Sequence, residues 1–181
     1  MSILSNFLQI IINLLKQKDS TSSTPEYKNP SKGKLSISQA GISYIKKAEG
    51  CRLNAYLDIA GVWTIGVGHT EGVEKDDKIT QEQADRLLIL DLKIFEKAVN
   101  SAVTVPLSQS QYDALCSFTF NLGGTALRRS TLLKKLNNKD YNGAAEEFLR
   151  WCKAKDPKTG KLKTSKGLLK RRKEEREIFL S

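Results

Sequence analysis

Seventeen residues, Arg52 to Gly68, are built for strands inside a chain that is otherwise punctuated for helices. Tyr56, Leu57, Val62, Trp63, Thr64, Ile65 and Val67 are strand formers, and Ala60-Gly61 between them supplies a turn. The segment therefore reads as a β-hairpin. Upstream, residues 39–48 read as a helix with Ser38 as N-cap and Ile42, Ile45 and Ala48 on one face. Glu49 ends that helix, with Gly50 in the position that follows the C-cap. Downstream, Thr80 with Gln83 and Ser108 with Gln111 match capping boxes, and Gly123-Gly124 closes the second of these helices. Ser130 and Asp140 start two more, and a last helix runs from about Ser165 to Leu180. A helix, a small hairpin and a helical remainder predict an α+β domain.

Composition shifts divide the 181 residues into three segments. Residues 1–18 hold the most apolar stretch, residues 19–35 are a Ser-, Thr-, Pro-, Lys- and Gly-rich linker, and residues 36–181 are the folded domain. The first segment is shorter than the roughly 20 residues that span a bilayer. Ser2, Ser5, Asn6, Gln9, Asn13 and Lys16 fall on one stripe of a helical wheel, with isoleucines and leucines around the rest. It lacks the basic start and small-residue cleavage site of a removable signal. Three readings stand: an uncleaved signal anchor, an interfacial amphipathic helix, and a helix packed on its own domain. The first two imply contact with the inner membrane.

The formal net charge is +10, and from Arg150 onward twelve basic residues face four acidic ones. A cationic C-terminal region suits an anionic partner such as nucleic acid, lipid headgroups or an acidic cell wall. Only Trp151 and Phe179 interleave with the basic residues, which argues against a stacking platform for single strands and so against nucleic acid. The cysteines, Cys51, Cys116 and Cys152, are odd in number and have no CxxC spacing. With a single histidine they make no standard zinc site, so no zinc is expected on them.

Glu49, Asp58 and Thr64 are the candidate chemistry. Breaking a glycosidic bond takes a protonated group to release the leaving oxygen and an ionised one to direct water or stabilise the cation. Glu49 stands at a helix C-terminus, where the negative end of the macrodipole disfavours an ionised carboxylate. Asp58 follows nine positions later at a strand-to-turn boundary. Thr64 lies six further on, on the return strand, where its hydroxyl can hold a water beside Asp58. Two carboxylates near a hairpin also occur as an N-cap and a surface group, so this spacing alone leaves both readings open.

The run Glu49-Gly50-Cys51-Arg52-Leu53-Asn54-Ala55-Tyr56-Leu57-Asp58, followed by Trp63-Thr64-Ile65-Gly66-Val67-Gly68-His69-Thr70, resembles the signature of phage-type lysozymes, the endolysins of tailed bacteriophages and prophages. The resemblance continues through Phe118-Thr119-Phe120-Asn121-Leu122-Gly123, Ser130-Thr131-Leu132-Leu133 and Phe148-Leu149-Arg150-Trp151 to Gly167-Leu168-Leu169-Lys170-Arg171-Arg172, with Glu175 after it. It implies a lysozyme-like fold, with a small β lobe, a larger helical lobe and the active-site cleft between them. The implied activity is cleavage of the β-1,4 bond between N-acetylmuramic acid and N-acetylglucosamine in peptidoglycan, which lyses the bacterial host. Glu49 would be the general acid, Asp58 and Thr64 would position the attacking water, and Phe120 would touch the sugar or pack in the core. The protein would be a monomer made in the host cytoplasm that acts in the periplasm on the wall, with an N-terminal tether as one option.

The presence of both Asp58 and Thr64 favours a hydrolase over a lytic transglycosylase, which uses the sugar's own 6-hydroxyl in place of water. The expected route is inverting. A non-enzymatic cationic membrane-active protein is the rival from another class. His69 is expected to make a structural hydrogen bond at the hairpin exit, and Gly66 and Gly68 to allow close backbone approach. Trp151 is expected in the core, and one of Arg171 or Arg172 to fold back near Glu49. Cys51 departs from the family, which usually has a large apolar residue there. It reads either as a small hydrophobe filling that slot or as half of a disulfide lock with Cys116 or Cys152.

Overall fold

The computed structural model describes residues 34–58, 60–156 and 159–181. The expectations for residues 1–18 and for the linker up to residue 33 lie outside these residues. Two compact units divide the described chain: residues 50–88, and residues 34–49 with 89–181. Each has its own apolar core. The architecture is α+β, as the change of period at Arg52 predicts.

The smaller unit is built on β1 (Arg52–Leu57) and β2 (Trp63–Gly66), paired antiparallel. Tyr56 faces Thr64 and Leu57 faces Trp63, while Arg52 faces Gly66, so the register shifts by a bulge between Arg52 and Tyr56. A third stretch closes against β1: the Ala55 amide donates to Asp77 O at 2.9 Å and the Ile79 amide to Leu53 O at 2.9 Å. One face of this small sheet buries Ile65, Val73, Ile79, Ala84 and Leu87, with Ala55 and Trp63 against them. Thr80 and Gln83 then form the predicted capping box, each side chain bonded to the other's amide. It opens α2 (Gln81–Ala102), whose chain belongs to both units.

In the larger unit, α1 (Gln39–Glu49) starts at Ser38, whose hydroxyl accepts from the Gly41 amide at 3.1 Å. Asp113 of α3 (Gln109–Leu122) takes the Ser38 amide at 2.9 Å and also the Ser38 hydroxyl proton, which fixes where α1 begins. Gly41 and Ile45 are the buried face of α1, whereas Ala48 is exposed. Leu35, counted above as the end of the linker, packs on the core, and its carbonyl accepts from Asn100 Nδ2 at 3.0 Å.

α3 carries the core through Tyr112, Leu115, Cys116 and Phe118 and keeps the predicted Ser108–Gln111 box. Gly123 ends it with a positive φ, but Gly124 is the first residue of a short α4 (Gly124–Arg129) rather than part of the stop. Ser130 and Asp140 cap α5 (Thr131–Asn137) and α6 (Tyr141–Phe148) as expected. A second hairpin, β3 (Lys153–Lys155) with β4 (Leu162–Thr164), interrupts the helical remainder before α7 (Lys166–Leu180). All six of its strand residues are exposed. Among the described residues no helix is long and apolar enough to cross a membrane.

Candidate active site

Glu49 is the last residue of α1, and the chain leaves it through Gly50 at φ 77°, a conformation that costs glycine little. Its side chain is 27% exposed, and Oε1 accepts from Arg171 Nη1 at 2.5 Å. Of the two adjacent arginines, Arg171 is therefore the one that folds back on Glu49. Arg171 also gives Nε to Glu175 Oε1 at 3.0 Å, so one guanidinium bridges two carboxylates. Burial works against its charge, but Glu49 and Glu175 more than offset that and hold its pKa above the ordinary arginine value.

Arg172 takes another course: it is fully buried, with Nη2 on Asn121 Oδ1 at 3.0 Å and on Glu175 Oε1 at 3.1 Å. Tyr44, one turn before Glu49, donates to the Arg171 carbonyl and to Glu174, each at 3.3 Å. Burial is the main reason that its hydroxyl resists ionisation.

Asp58 and Thr64 belong to the smaller unit, and the structure brings these two together through one residue. Asp58 stands just past β1, where Oδ1 accepts from the amides of Ala60 at 2.8 Å and Val62 at 2.9 Å. This is the side-chain-to-backbone pattern by which Asp organises a turn. The Asp58 amide donates to Val62 O at 3.0 Å, and Thr64 Oγ1 donates to the same carbonyl at 3.0 Å. The Val62 peptide thus orients both side chains. With its proton committed to Val62, the hydroxyl of Thr64 keeps its lone pairs for accepting. Among the described residues Asp58 Oδ2 has no hydrogen-bond partner, so both groups can act as acceptors.

The remaining expectations divide. His69 serves the hairpin exit: its backbone pairs with Ile65 in both directions and its Nε2 lies 3.0 Å from Glu71 O. Gly66 packs closely as expected, a Cβ there lying 3.5 Å from Ile79 Cδ1 and 3.7 Å from Ala84 Cα, whereas Gly68 is there for another reason. Both have positive φ in the reversal from Ile65 to His69, and a Cβ on Gly68 would meet nothing within 4 Å. Turn conformation, not close approach, accounts for Gly68. Phe120 is half-buried and packs edge-on against Phe95 with ring centroids 5.1 Å apart. Trp151 packs on Phe118 at the edge of the core, as expected.

Cys51 does not fill an apolar slot. It is exposed, and its sulfur lies 3.8 Å from Gln81 Nε2. Cys116 and Cys152 are buried and all three thiols are free; burial pushes the Cys116 thiol up to about 12. The C-terminal basic region is also less available than its composition suggests. Arg171 and Arg172 are buried against carboxylates, Arg176 pairs with Glu146, and Lys163 pairs with Asp156 at 2.7 Å. Sequence reasoning missed Val62, which acts through its backbone, and noted Glu175 after the last motif without a role, which it gains only when α7 meets α1 and α3. Among the described residues no cluster of His, Cys, Asp and Glu suits a metal ion.

Comparison with known proteins gives one consistent result. The family model described as phage lysozyme matches residues 46–175. The endolysin of Acyrthosiphon pisum secondary endosymbiont phage 1 is 49% identical over 147 residues, which cover 81% of this chain and 99% of the relative. The SAR-endolysin of Escherichia phage Mu is 43% identical over 124 residues, covering 68% of this chain and 69% of the relative. Among solved structures, the muramidase domain of SpmX from Asticaccaulis excentricus superposes with a TM-score of 0.77 at 38% identity, covering 81% of this chain and 98% of that one.

Proposed function

The chain belongs to the phage lysozyme family and is a lysozyme-type glycoside hydrolase acting on peptidoglycan, and from that premise we propose that Glu49, Asp58 and Thr64 divide the chemistry between them. Glu49 is the general acid that protonates the leaving oxygen of the β-1,4 bond between N-acetylmuramic acid and N-acetylglucosamine. Asp58 is the base. Asp58 Oδ2 and Thr64 Oγ1 accept hydrogen bonds from the two O–H groups of a water molecule, whose lone pair attacks the opposite face of the sugar. Asp58 takes one proton as the bond forms, and the other stays on the new hydroxyl. Displacement by that water inverts the anomeric centre. Phe120 offers a half-buried aromatic edge for the sugar's apolar face.

The observation that carries this reading is the shared Val62 peptide, because a single turn presets both acceptors. Preset acceptors lower the entropy cost of holding the water. The same observation favours hydrolysis over intramolecular closure by the sugar's 6-hydroxyl, which has no use for a water-holding pair. Replacement of the acid is the direct test. Glu49→Gln is expected to abolish the clearing of a suspension of bacterial walls while leaving the melting temperature close to that of the parent. Clearing at the parent's rate would instead favour the cationic, non-enzymatic reading.

Action in the periplasm fits this substrate and the likeness to relatives named SAR-endolysin. On this reading residues 1–18 contact the inner membrane. In fractionated cells the full chain would then sediment with membranes and a chain lacking residues 1–18 would not. Equal partitioning of the two would remove the membrane role.

A further inference from the structure

Behind Glu49 lies a buried row of alternating charges that the chemistry above does not use. Arg171 joins Glu49 to Glu175, and Glu175 in turn joins Arg171 to Arg172. The Arg172 and Glu175 side chains are fully buried and the Arg171 side chain is 9% exposed. Glu175 Oε1 accepts from three donors: Ser117 Oγ at 2.7 Å, Arg171 Nε at 3.0 Å and Arg172 Nη2 at 3.1 Å. Three donors favour its ionised form, and they act against burial, which is the largest influence and pushes the Glu175 carboxyl above the usual carboxylate range. A buried pair of arginines with one carboxylate leaves an excess positive charge, and Glu49 is the second carboxylate that Arg171 meets. Glu49, however, must carry a proton at the moment it acts. The two requirements oppose each other, and Glu175 sets where they meet.

We infer that Glu175 is a positioning residue for the catalytic acid, acting through Arg171 to fix both the place and the charge that Glu49 faces. The inference rests on the reading of Glu49 as the acid. Geometrically, Glu175 draws Nε of Arg171 inward, and Ser117 receives Nη2, through its carbonyl at 3.3 Å and its hydroxyl at 3.4 Å. Nη1 is thereby left to point at Glu49. Electrically, the negative charge of Glu175 cancels one of the two arginines, so Glu49 meets a cation already shared with a second carboxylate.

Other charged groups nearby are few. From α1 come Tyr44, which donates to the Arg171 carbonyl and to Glu174, and Lys46 and Lys47 in the last turn. α3 presents the neutral Ser117 and Asn121 to the arginines, while its Asp113 is taken by Ser38 and Gln109. Between α6 and α7 there is the Glu146–Arg176 pair.

The test is the pH dependence of kcat/KM on soluble peptidoglycan fragments, for two variants of opposite charge sign. The alkaline limb of the bell reports loss of the proton from the acid. Glu175→Gln keeps the shape and removes a negative charge, which favours ionised Glu49, so that limb should move to lower pH by on the order of one unit. Arg172→Gln removes a positive charge, and the limb should move to higher pH. A purely structural role would lower the melting temperature of both variants and move neither limb. Limbs that stay in place, or that move in the same direction, would overturn the inference; if only one variant folds, its limb decides. Glu49→Gln separates this from the underlying assignment: an active Glu49→Gln protein defeats the acid itself, whereas an inactive one beside unmoved limbs defeats only the role of Glu175.

Discussion

At the scale of single residues, the proposed acid Glu49 is held by Arg171, and the proposed water-holding pair, Asp58 and Thr64, by the Val62 peptide. Glu49, Asp58 and Thr64 stand at the spacing that the resemblance implies, and the sequence also suggested that an arginine near the C-terminus would return to Glu49. It left two candidates, because neighbours on a helix point about 100° apart and only the packed phase of α7 selects Arg171. Val62 could not be found by residue type, since any residue but proline supplies the same amide and carbonyl. Its role makes a sharp prediction for Thr64, whose hydroxyl donates to Val62 O. Thr64→Ser keeps the hydroxyl and should stay within about tenfold of the parent in kcat. Thr64→Ala, which cannot accept from water, should lose about a hundredfold or more. Equal activities for the two variants in a fragment-hydrolysis assay would remove Thr64 from the chemistry.

At the scale of elements, starts were easier to read than packing. Ser38, Thr80, Ser108, Ser130, Asp140 and Ser165 all open helices, because a capping hydroxyl or carboxylate acts within three residues of itself. The β3–β4 hairpin escaped notice for a physical reason. Lys-Ala-Lys and Leu-Lys-Thr are exposed throughout, so they carry no apolar alternation to detect. The junction of α1 with α3 was hidden as well, since Gly41 has no side chain to advertise it. A Cβ there would lie 2.8 Å from both Asp113 Cγ and Ile37 Cγ1. Gly41→Ala should therefore destabilise the protein by about 1–3 kcal/mol through overpacking, despite alanine's better helix propensity. At about 2–4 °C per kcal/mol for a chain of this size, calorimetry would register a drop of several degrees. An unchanged or higher melting temperature would mean that the α1–α3 contact yields without strain.

At the scale of the whole molecule, the +10 charge reads differently once the fold is known. Part of the C-terminal excess is internal, in Arg171 and Arg172, and serves Glu49 and Glu175 rather than an outside partner. The exposed remainder includes Lys153, Lys155 and Lys161 on the second hairpin and Lys166 at the start of α7. These lysines we assign to attraction toward the anionic cell envelope. Their joint replacement by Gln should slow the clearing of whole cells several-fold at low salt, with little effect on soluble fragments. An equal loss on both substrates, or none on cells, would reject that assignment. The central claim, that Glu49 drives hydrolysis by an ordered water, is tested most directly by the ends that the enzyme makes. Purified peptidoglycan is digested with the parent and with Glu49→Gln, and the new ends are read by mass spectrometry and, at early times, by NMR. The parent should yield hydrated, reducing N-acetylmuramic acid ends that appear first as the α anomer, and Glu49→Gln should yield none. Anhydro ends, a first-formed β anomer or an active Glu49→Gln protein would contradict it.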